Sequence, residues 1–235
     1  MKTALCFLGT GRSVQHTFEN LQRNVIDPFD DRDVIVYITD TPDAKKTEEY
    51  FQTLDNVFIH TIKESPLDVS KYKFLSSWPP STGRDLDKGR HIYLQMLKSR
   101  SVMNSLIEQT KNNYERVIFS RMDVIYENPI RESVDKLDLS KVWLPHFHHW
   151  IGGYNDRFAV SSRKGMRDYF SLYDYIDSYA EEGHVFHAEN TLKHHLNMLD
   201  VEIGVFKLRF SRIRNGKPHD NFSSLDKEAA RQCDI

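Results

Sequence analysis

Short apolar runs alternate with amphipathic segments along the first half of the chain, and this order limits the folds that the chain can adopt. Runs rich in apolar and β-branched side chains are typical of strands, and they cover residues 3–8, 33–39 and 56–62, of which the first is predicted to be buried. Apolar residues recur instead at helical spacing in the segments 14–25, 43–54 and 85–112. Strands joined through helices pair in parallel by right-handed crossovers. This order predicts an α/β fold with a mostly parallel central sheet flanked by helices.

Local signals set the expected ends of the first helix. Ser13 is a favoured N-cap residue, and the pair Asp27-Pro28 should end the helix. One face of it should be buried through Val14, Phe18, Leu21 and Val25.

The helix over 85–112 follows a segment that is harder to interpret. Residues 63–83 contain Pro66, Pro79 and Pro80 with several serines, and we predict a loop there. The predicted buried positions of the helix that follows are Ile92, Met96, Val102 and Leu106.

The second half mixes strands and helices less regularly. Strands are predicted over 116–126, 142–145, 156–161 and 201–214, and helices over 162–179 and 186–199. A chain of 235 residues is about the size at which one hydrophobic core still suffices. We therefore expect a single domain.

Charge and cysteine content exclude several classes of protein. A formal net charge of -2 and a pI of about 6.6 argue against a nucleic-acid-binding protein, which normally carries a basic excess. The two cysteines, Cys6 and Cys233, are too few for a disulfide framework and fit a reducing compartment. No apolar stretch approaches the roughly 20 residues that span a bilayer. We expect a cytoplasmic protein without a transmembrane segment.

The eleven histidines raise the question of a metal. They include two clusters, at 146–149 and at 184–195. No His-Glu-x-x-His pattern organises them and no cysteine lies nearby, so zinc is not favoured. His219 is a further possible ligand from the end of the chain.

Arg121-Met122-Asp123 interrupts the apolar run at 116–126 with two opposite charges. Burying such charges is costly unless they are paired or bind a ligand. Asp123 at a strand end is suited to a divalent cation or a ribose hydroxyl, and Arg121 to a phosphate. The alternative is a structural ion pair between the two residues.

Two glycine-containing turns are the other candidate sites. Gly9-Thr10-Gly11-Arg12 follows the first strand and precedes a helix, which suits the approach of a phosphate, although a plain tight turn explains it equally well. The second is the segment 152–158, Gly-Gly-Tyr-Asn-Asp-Arg-Phe. Its Asp156 is a candidate general base for an acceptor hydroxyl, and an ordinary Asn-Asp turn is the alternative.

Taken in order, these motifs resemble those of a group of bacterial and viral GT-A-type glycosyltransferases. The resemblance rests on a Gly-x-x-Arg turn at Gly9–Arg12, an Asp-Pro after the first helix, Arg-x-Asp at Arg121–Asp123, and the segment 152–158. It continues with Ala188-Glu189-Asn190 and ends with Arg212-Ile213-Arg214. It spans about residues 3–214 and implies a Rossmann-like GT-A fold. The nucleotide-binding half would cover about 1–126, a mixed acceptor half about 127–214, and a tail 215–235.

The resemblance also implies roles for individual residues. A nucleotide-sugar donor would contact Gly9, Gly11, Arg12, Arg121 and Asp123, and the acceptor would be a glycan or another hydroxyl compound, as in polysaccharide biosynthesis. Asp123 would hold Mn²⁺ or Mg²⁺ in the place of the second aspartate of Asp-x-Asp, with Arg121 where the first is expected. Asp156 would be the catalytic base, and the acceptor would be bound by Gly153, Asn155, Arg157 and Glu189.

Two other functions remain open from the sequence. Gly-Thr-Gly-Arg-Ser after the first strand loosely resembles the phosphate loop of a phosphosulfate-dependent sulfotransferase, although that hypothesis leaves Arg121–Asp123 unexplained. A non-catalytic module of the same fold that binds a sugar or a nucleotide is the other.

Overall fold

A computed structural model of the chain describes residues 1–75, 86–214 and 216–232. Within them the chain forms ten strands: β1 Thr3–Gly9, β2 Arg32–Thr39, β3 Val57–Ile62, β4 Arg116–Arg121, β5 Val124–Tyr126, β6 Val142–Pro145, β7 Phe158–Ser161, β8 Ile203–Phe206, β9 Phe210–Arg214 and β10 Lys217–Pro218. The same residues form eight α-helices: α1 Val14–Leu21, α2 Ala44–Phe51, α3 Leu86–Gln109, α4 Arg131–Val134, α5 Arg163–Phe170, α6 Leu172–Glu181, α7 Ala188–Met198 and α8 Phe222–Gln232. A π-helical segment, Gln22–Ile26, continues α1, and a 3-10 turn spans Trp150–Gly152.

Seven of these strands form one sheet in the order β3-β2-β1-β4-β7-β6-β8. The neighbours from β3 to β4 pair in parallel, β7 is antiparallel to both β4 and β6, and β8 returns parallel to β6. The predicted α/β class with a mostly parallel central sheet is confirmed. Strands from both halves of the chain belong to this sheet.

The strand order reverses between β1 and β4. From β1 the chain continues to β2 and β3 on one side, and it then crosses back to place β4 on the other side. Neighbouring strands whose connections run in opposite directions leave a crevice beyond their carboxyl ends, where ligands of open α/β sheets bind. The glycine turn and the Arg-x-Asp segment both lie at these two ends.

Two hydrophobic layers cover the faces of the sheet, as the alternation of side chains along β1 illustrates. Ala4, Cys6 and Leu8 pack into the layer that contains α3, α5, α6 and α7, and Leu5 and Phe7 pack into the opposite layer with α1 and α2. Cys6 is fully buried, and burial raises the pKa of its thiol. It therefore acts as a small apolar core residue, as the sequence predicted.

A second sheet, of the three strands β10-β9-β5, adjoins the main one. The predicted single strand over 116–126 is wrong, because the chain leaves the main sheet after Arg121 and enters the small sheet at Val124. The predicted strand over 201–214 divides in the same way into β8 of the main sheet and β9 of the small one. Apolar periodicity does not reveal where a strand changes its partner.

Other local predictions also need correction. Ser13 occupies the N-cap position of α1, but its side chain makes no capping bond and its hydroxyl donates instead to the Ile213 carbonyl, at 3.4 Å. Ile92, predicted to be buried, is 59% exposed, because the buried face of α3 runs through Tyr93, Leu97 and other positions one residue away. The predicted helix over 162–179 is two helices that meet at Ser171.

The segment predicted as a loop lies partly outside the described residues, which leave out 76–85, and so do the predicted start of α3 at Asp85 and Cys233. Its described part makes one bridge, between Phe74 and Phe186. Among the described helices, none combines the length and the apolar character needed to cross a membrane.

Candidate functional site

A cavity of about 220 Å³ opens beyond the carboxyl ends of β1 and β4. Gly9 to Ser13 form one side of it, and Arg121 to Asp123 form another. Helix α3 closes a third side with Ile92, Met96 and Arg100. The misassigned apolar residue Ile92 thus faces the mouth of this cavity rather than the core.

The glycine turn is required by close packing. Gly11 has a φ of +74°, and a Cβ at this position would lie 1.9 Å from Thr47 Oγ1. Gly9 has a φ of +155°, which also favours glycine. These requirements explain both glycines structurally, while the turn still places Arg12 on the cavity wall.

The Arg-x-Asp turn is held by the elements that flank it. The Thr17 hydroxyl on α1 donates to the Met122 carbonyl at 2.6 Å, and the Ile213 amide on β9 donates to the Asp123 carbonyl at 2.8 Å. Both turns of the cavity therefore share contacts with α1 and with the small sheet.

Arg121 and Asp123 form a bidentate ion pair. Arg121 Nε donates to Asp123 Oδ1 and Arg121 Nη2 donates to Asp123 Oδ2, each at 2.7 Å. Burial alone would raise the pKa of Asp123, but this contact and the charges of Arg212 and Arg12 lower it to about 2. The ion pair that the sequence left as an alternative is present.

The donor atoms here do not fit a divalent cation. Both carboxylate oxygens of Asp123 already accept from Arg121. The other carboxylate on the described part of the wall is Glu64, whose Oε1 accepts from the Thr39 hydroxyl at 2.9 Å. In the described residues no three His, Cys, Asp or Glu side chains are grouped as metal ligands would be. The role predicted for Asp123 as a metal ligand is therefore not one that this arrangement supports.

The other candidate residues lie together in a buried charge network. Asp156 Oδ2 accepts from Arg100 Nη2 at 3.2 Å, and the same guanidinium donates to the Asp156 carbonyl. Arg157 Nη2 donates to Glu189 Oε1 at 3.2 Å. All four side chains are less than one tenth exposed. Of the four, only Arg100 reaches the described wall of the cavity.

This network separates the pKa values of its two acids. Burial opposes ionisation of Asp156, but the charges of Arg100, Arg157 and Arg121 outweigh it and lower its pKa. Burial and repulsion from Asp156 raise the pKa of Glu189 to about 7, although Arg157 opposes this. Because Asp156 is held as a carboxylate, it is a weak proton acceptor.

Gly153 and Asn155 shape the loop that carries Asp156. A Cβ at Gly153 would lie 2.2 Å from the backbone carbon of Glu189, so the loop lies directly against the start of α7. Asn155 is fully buried, donates to the Phe147 carbonyl at 2.7 Å and accepts from the Arg157 amide at 2.9 Å. Both contacts are structural.

Sequence reasoning missed Arg100. Its guanidinium is 2% exposed and lies over the rings of Phe119, at 5.3 Å, and Tyr169, at 5.6 Å. An arginine three residues after Leu97 on the buried face of a helix is the signal that could have found it. The sequence identifies Arg212 only as part of the Arg-x-Arg motif near the end of the chain. In the structure Arg212 lies on β9 opposite Val124, the residue after Asp123.

Several of the histidines contact other protein groups. His148 lies 3.2 Å from Glu228 on α8, and burial, followed by the charges of Arg157 and Arg212, lowers its pKa to about 2. His184 and His194 stack at 4.4 Å. His219 donates its backbone amide to the Arg212 carbonyl at 2.7 Å.

Comparisons with known proteins give a likeness of fold. Neither the family models nor the curated proteins gave a match. Among solved structures, the chain is similar to the apo form of glycosyltransferase GlyE from Streptococcus pneumoniae TIGR4, with a TM-score of 0.50 and 14% identity over 87% of this chain and 45% of GlyE. It is also similar to the galactosyltransferase LgtC in complex with donor and acceptor sugar analogues, with a TM-score of 0.53 and 12% identity over 86% of this chain and 72% of LgtC. The chain thus spans less than half the length of GlyE and shares the fold of these glycosyltransferases.

Proposed function

We propose that this chain is a glycosyltransferase that moves a sugar from a nucleoside-diphosphate sugar to a hydroxyl of a glycan or another acceptor. The observation that carries this proposal is the cavity at the β1/β4 reversal, whose wall combines the glycine turn with Arg12 and Arg121. A crevice at this point of an open α/β sheet is the usual place for a nucleotide. The fold shared with GlyE and LgtC supports the same class of reaction.

The proposed reaction breaks the bond between the anomeric carbon and the β-phosphate oxygen. The bonding pair leaves on the diphosphate. The acceptor oxygen forms the new bond to the anomeric carbon and passes its proton to a base, for which Asp156 is the candidate. Negative charge therefore develops on the departing diphosphate, and fixed positive groups beside it lower the barrier. Arg12 and Arg121 are the residues of the cavity wall proposed for this role.

The residues of the acceptor half take supporting roles in this proposal. Gly153, Asn155, Arg157 and Glu189 hold the loop in place against the start of α7. Asp156 as the base for the acceptor hydroxyl stays a prediction, which its ion pair with Arg100 weakens. Normal turnover by Asp156→Ala would remove it from that role.

A ligand screen followed by an activity assay tests the proposal. Melting temperatures are measured with UDP-, GDP-, dTDP- and CMP-sugars and with a phosphosulfate nucleotide, each with and without Mn²⁺. We expect one nucleoside-diphosphate sugar to raise the melting temperature by a few degrees. Arg121→Gln should reduce that rise, while Arg23→Gln should not, because Arg23 is an exposed residue of the π-helical segment.

Release of the nucleoside diphosphate with the stabilising donor, with and without candidate acceptors, then separates an enzyme from a binding module. Binding without hydrolysis or transfer would leave the module as the better description. Stabilisation by the phosphosulfate nucleotide alone would instead identify a sulfotransferase.

A further inference from the structure

The side chains around Asp123 carry more positive charge than this carboxylate balances. Arg12, Arg121 and Arg212 each lie close enough to Asp123 to lower its pKa through their charge. Arg121 is paired with Asp123. Among the residues that the structure describes, neither Arg12 nor Arg212 forms an ion pair with any carboxylate. Three guanidinium groups therefore surround one carboxylate.

Arg212 is the least compensated of the three. Its Nε is buried and makes no hydrogen bond within the described part of the chain. Burial, together with repulsion from Arg157, Arg121 and Arg214, lowers the pKa of its guanidinium to about 10, so it is still charged at neutral pH. A half-buried charge without a partner is costly to hold, and an anion bound beside it removes that cost.

The neighbouring charge network does not supply the missing negative charge. Arg100 is paired with Asp156, and Arg157 with Glu189. The raised pKa of Glu189 reduces the negative charge of this network further. The positive excess at Arg12, Arg121 and Arg212 is therefore not balanced by this network.

A pyrophosphate group matches this excess in charge and in chemistry. Guanidinium groups bind phosphate oxygens through paired N–H donors. Arg121 has N–H groups left beyond the two that Asp123 accepts, and Arg12 lies on the cavity wall at the glycine turn. The three arginines come from separate elements, and the strand pairing of β5 with β9 brings Arg212 to this place.

We propose that Arg12, Arg121 and Arg212 neutralise the diphosphate of the donor directly, and that the donor binds without a divalent cation. This inference rests on the proposed function for the identity of the ligand. It gives Asp123 a different task, because the carboxylate orients Arg121 rather than binding a metal. Asp123 is in this sense a positioning residue.

Calorimetric titration with inorganic pyrophosphate, UDP and GDP tests this arrangement. The protein is treated with a chelator, and each titration is run with EDTA and again with MnCl2. We expect pyrophosphate and one of the two nucleotides to bind in EDTA, with Kd values that change by less than about threefold when Mn²⁺ replaces the chelator.

Variants that each lack one arginine test whether these side chains bind the pyrophosphate. Arg212→Gln and Arg12→Gln should each weaken binding in EDTA by about tenfold or more, as expected for the loss of a charge-assisted hydrogen bond. Arg23→Gln removes the same charge from an exposed site and should leave Kd unchanged. Circular dichroism confirms that each variant is folded. Arg12 lies in a surface turn, so its variant tests the inference even if Arg212→Gln does not fold.

The outcomes separate this inference from the proposed function. Pyrophosphate binding that needs Mn²⁺ and is lost in Asp123→Asn would overturn the arginine site and restore Asp123 as a metal ligand. Equal affinity in Arg12→Gln, Arg212→Gln and the unmodified protein would also overturn it. Pyrophosphate binding in EDTA that depends on the arginines, without binding of any nucleotide or nucleotide sugar, supports the anion site and refutes the proposed donor.

Discussion

Replacing Gly153 by alanine tests how tightly the loop is held against α7. A Cβ at this position would lie 2.2 Å from Glu189 C, 2.4 Å from Asn190 N and 2.5 Å from Glu189 O. All three atoms are backbone atoms at the start of a helix, so no side chain can rotate away. The φ of Gly153 is -89°, and alanine therefore adds no backbone strain. The clash alone determines the effect.

The expected cost follows from that geometry. Carbon atoms pack at about 3.5 Å, so the loop and α7 must separate by roughly 1 Å. Overpacking of this kind costs about 1–3 kcal/mol. The shift also weakens the hydrogen bond from the Tyr154 amide to the Glu189 carbonyl, now 2.9 Å, which adds about 1 kcal/mol. We expect a loss of about 3 kcal/mol in the free energy of unfolding, or about 6–12 °C in Tm.

Gly152→Ala is the matched control. Gly152 has a φ of +65°, and a Cβ added there would meet no atom within 4 Å, so alanine costs only backbone strain of about 1 kcal/mol. Thermal melts by circular dichroism and urea titrations measure both variants. If the two variants lose equal stability, the close contact between Gly153 and α7 does not exist in solution and the reasoning is refuted.

Three further predictions concern the buried charges and the Arg-x-Asp turn. The pKa of Glu189 is raised from 4.5 to about 7, so its protonated form stabilises the folded state fully below pH 4.5, and this stabilisation is lost as pH rises to about 7. Over that range, urea titrations should show the unmodified protein losing up to about 3 kcal/mol in the free energy of unfolding relative to Glu189→Gln. Parallel pH profiles of the two proteins would contradict this. Arg100→Met should cost about 3–5 kcal/mol by leaving the buried Asp156 with only its longer contact to Arg157, at 3.8 Å, and adding Asp156→Asn should recover part of the loss. A double variant no more stable than the single one would argue against the pair. Thr17→Val should cost about 1 kcal/mol in the same titrations by removing the hydrogen bond to Met122, and an unchanged unfolding midpoint would show that the bond contributes nothing.

The parallel half of the fold was predictable because its signals are local. Each strand from β1 to β3 is a short apolar run that ends at a polar or glycine turn, and the helices after β1 and β2 show their buried face in their spacing. Gly9–Arg12 and Arg121–Asp123 each follow or end a strand, and parallel strands bring their carboxyl ends to the same edge of the sheet. These two turns do line one cavity.

The other features of the fold and of the candidate site depend on contacts between distant parts of the chain. The rotamer of the Arg121 side chain decides whether it binds a cofactor or Asp123, and the spacing in the sequence allows both. The role of Arg100 requires knowing that Asp156 lies behind it, 56 residues later in the chain. The division of 116–126 between two sheets depends on β9, which no pattern within that segment reveals.

The pairing of β5 with β9 has a consequence for the order in which the molecule is completed. During synthesis β1, β4 and the Arg-x-Asp turn emerge early and can pair among themselves, whereas β9 emerges only after α7 and β8. A nascent chain that stops before Phe210 can therefore contain the whole parallel part of the sheet while β5 is still an unpaired edge. The late arrival of β9 covers that edge and places Arg212 beside Asp123 in the same step, so this strand both protects the growing protein from edge-to-edge association and completes the group of arginines around Asp123.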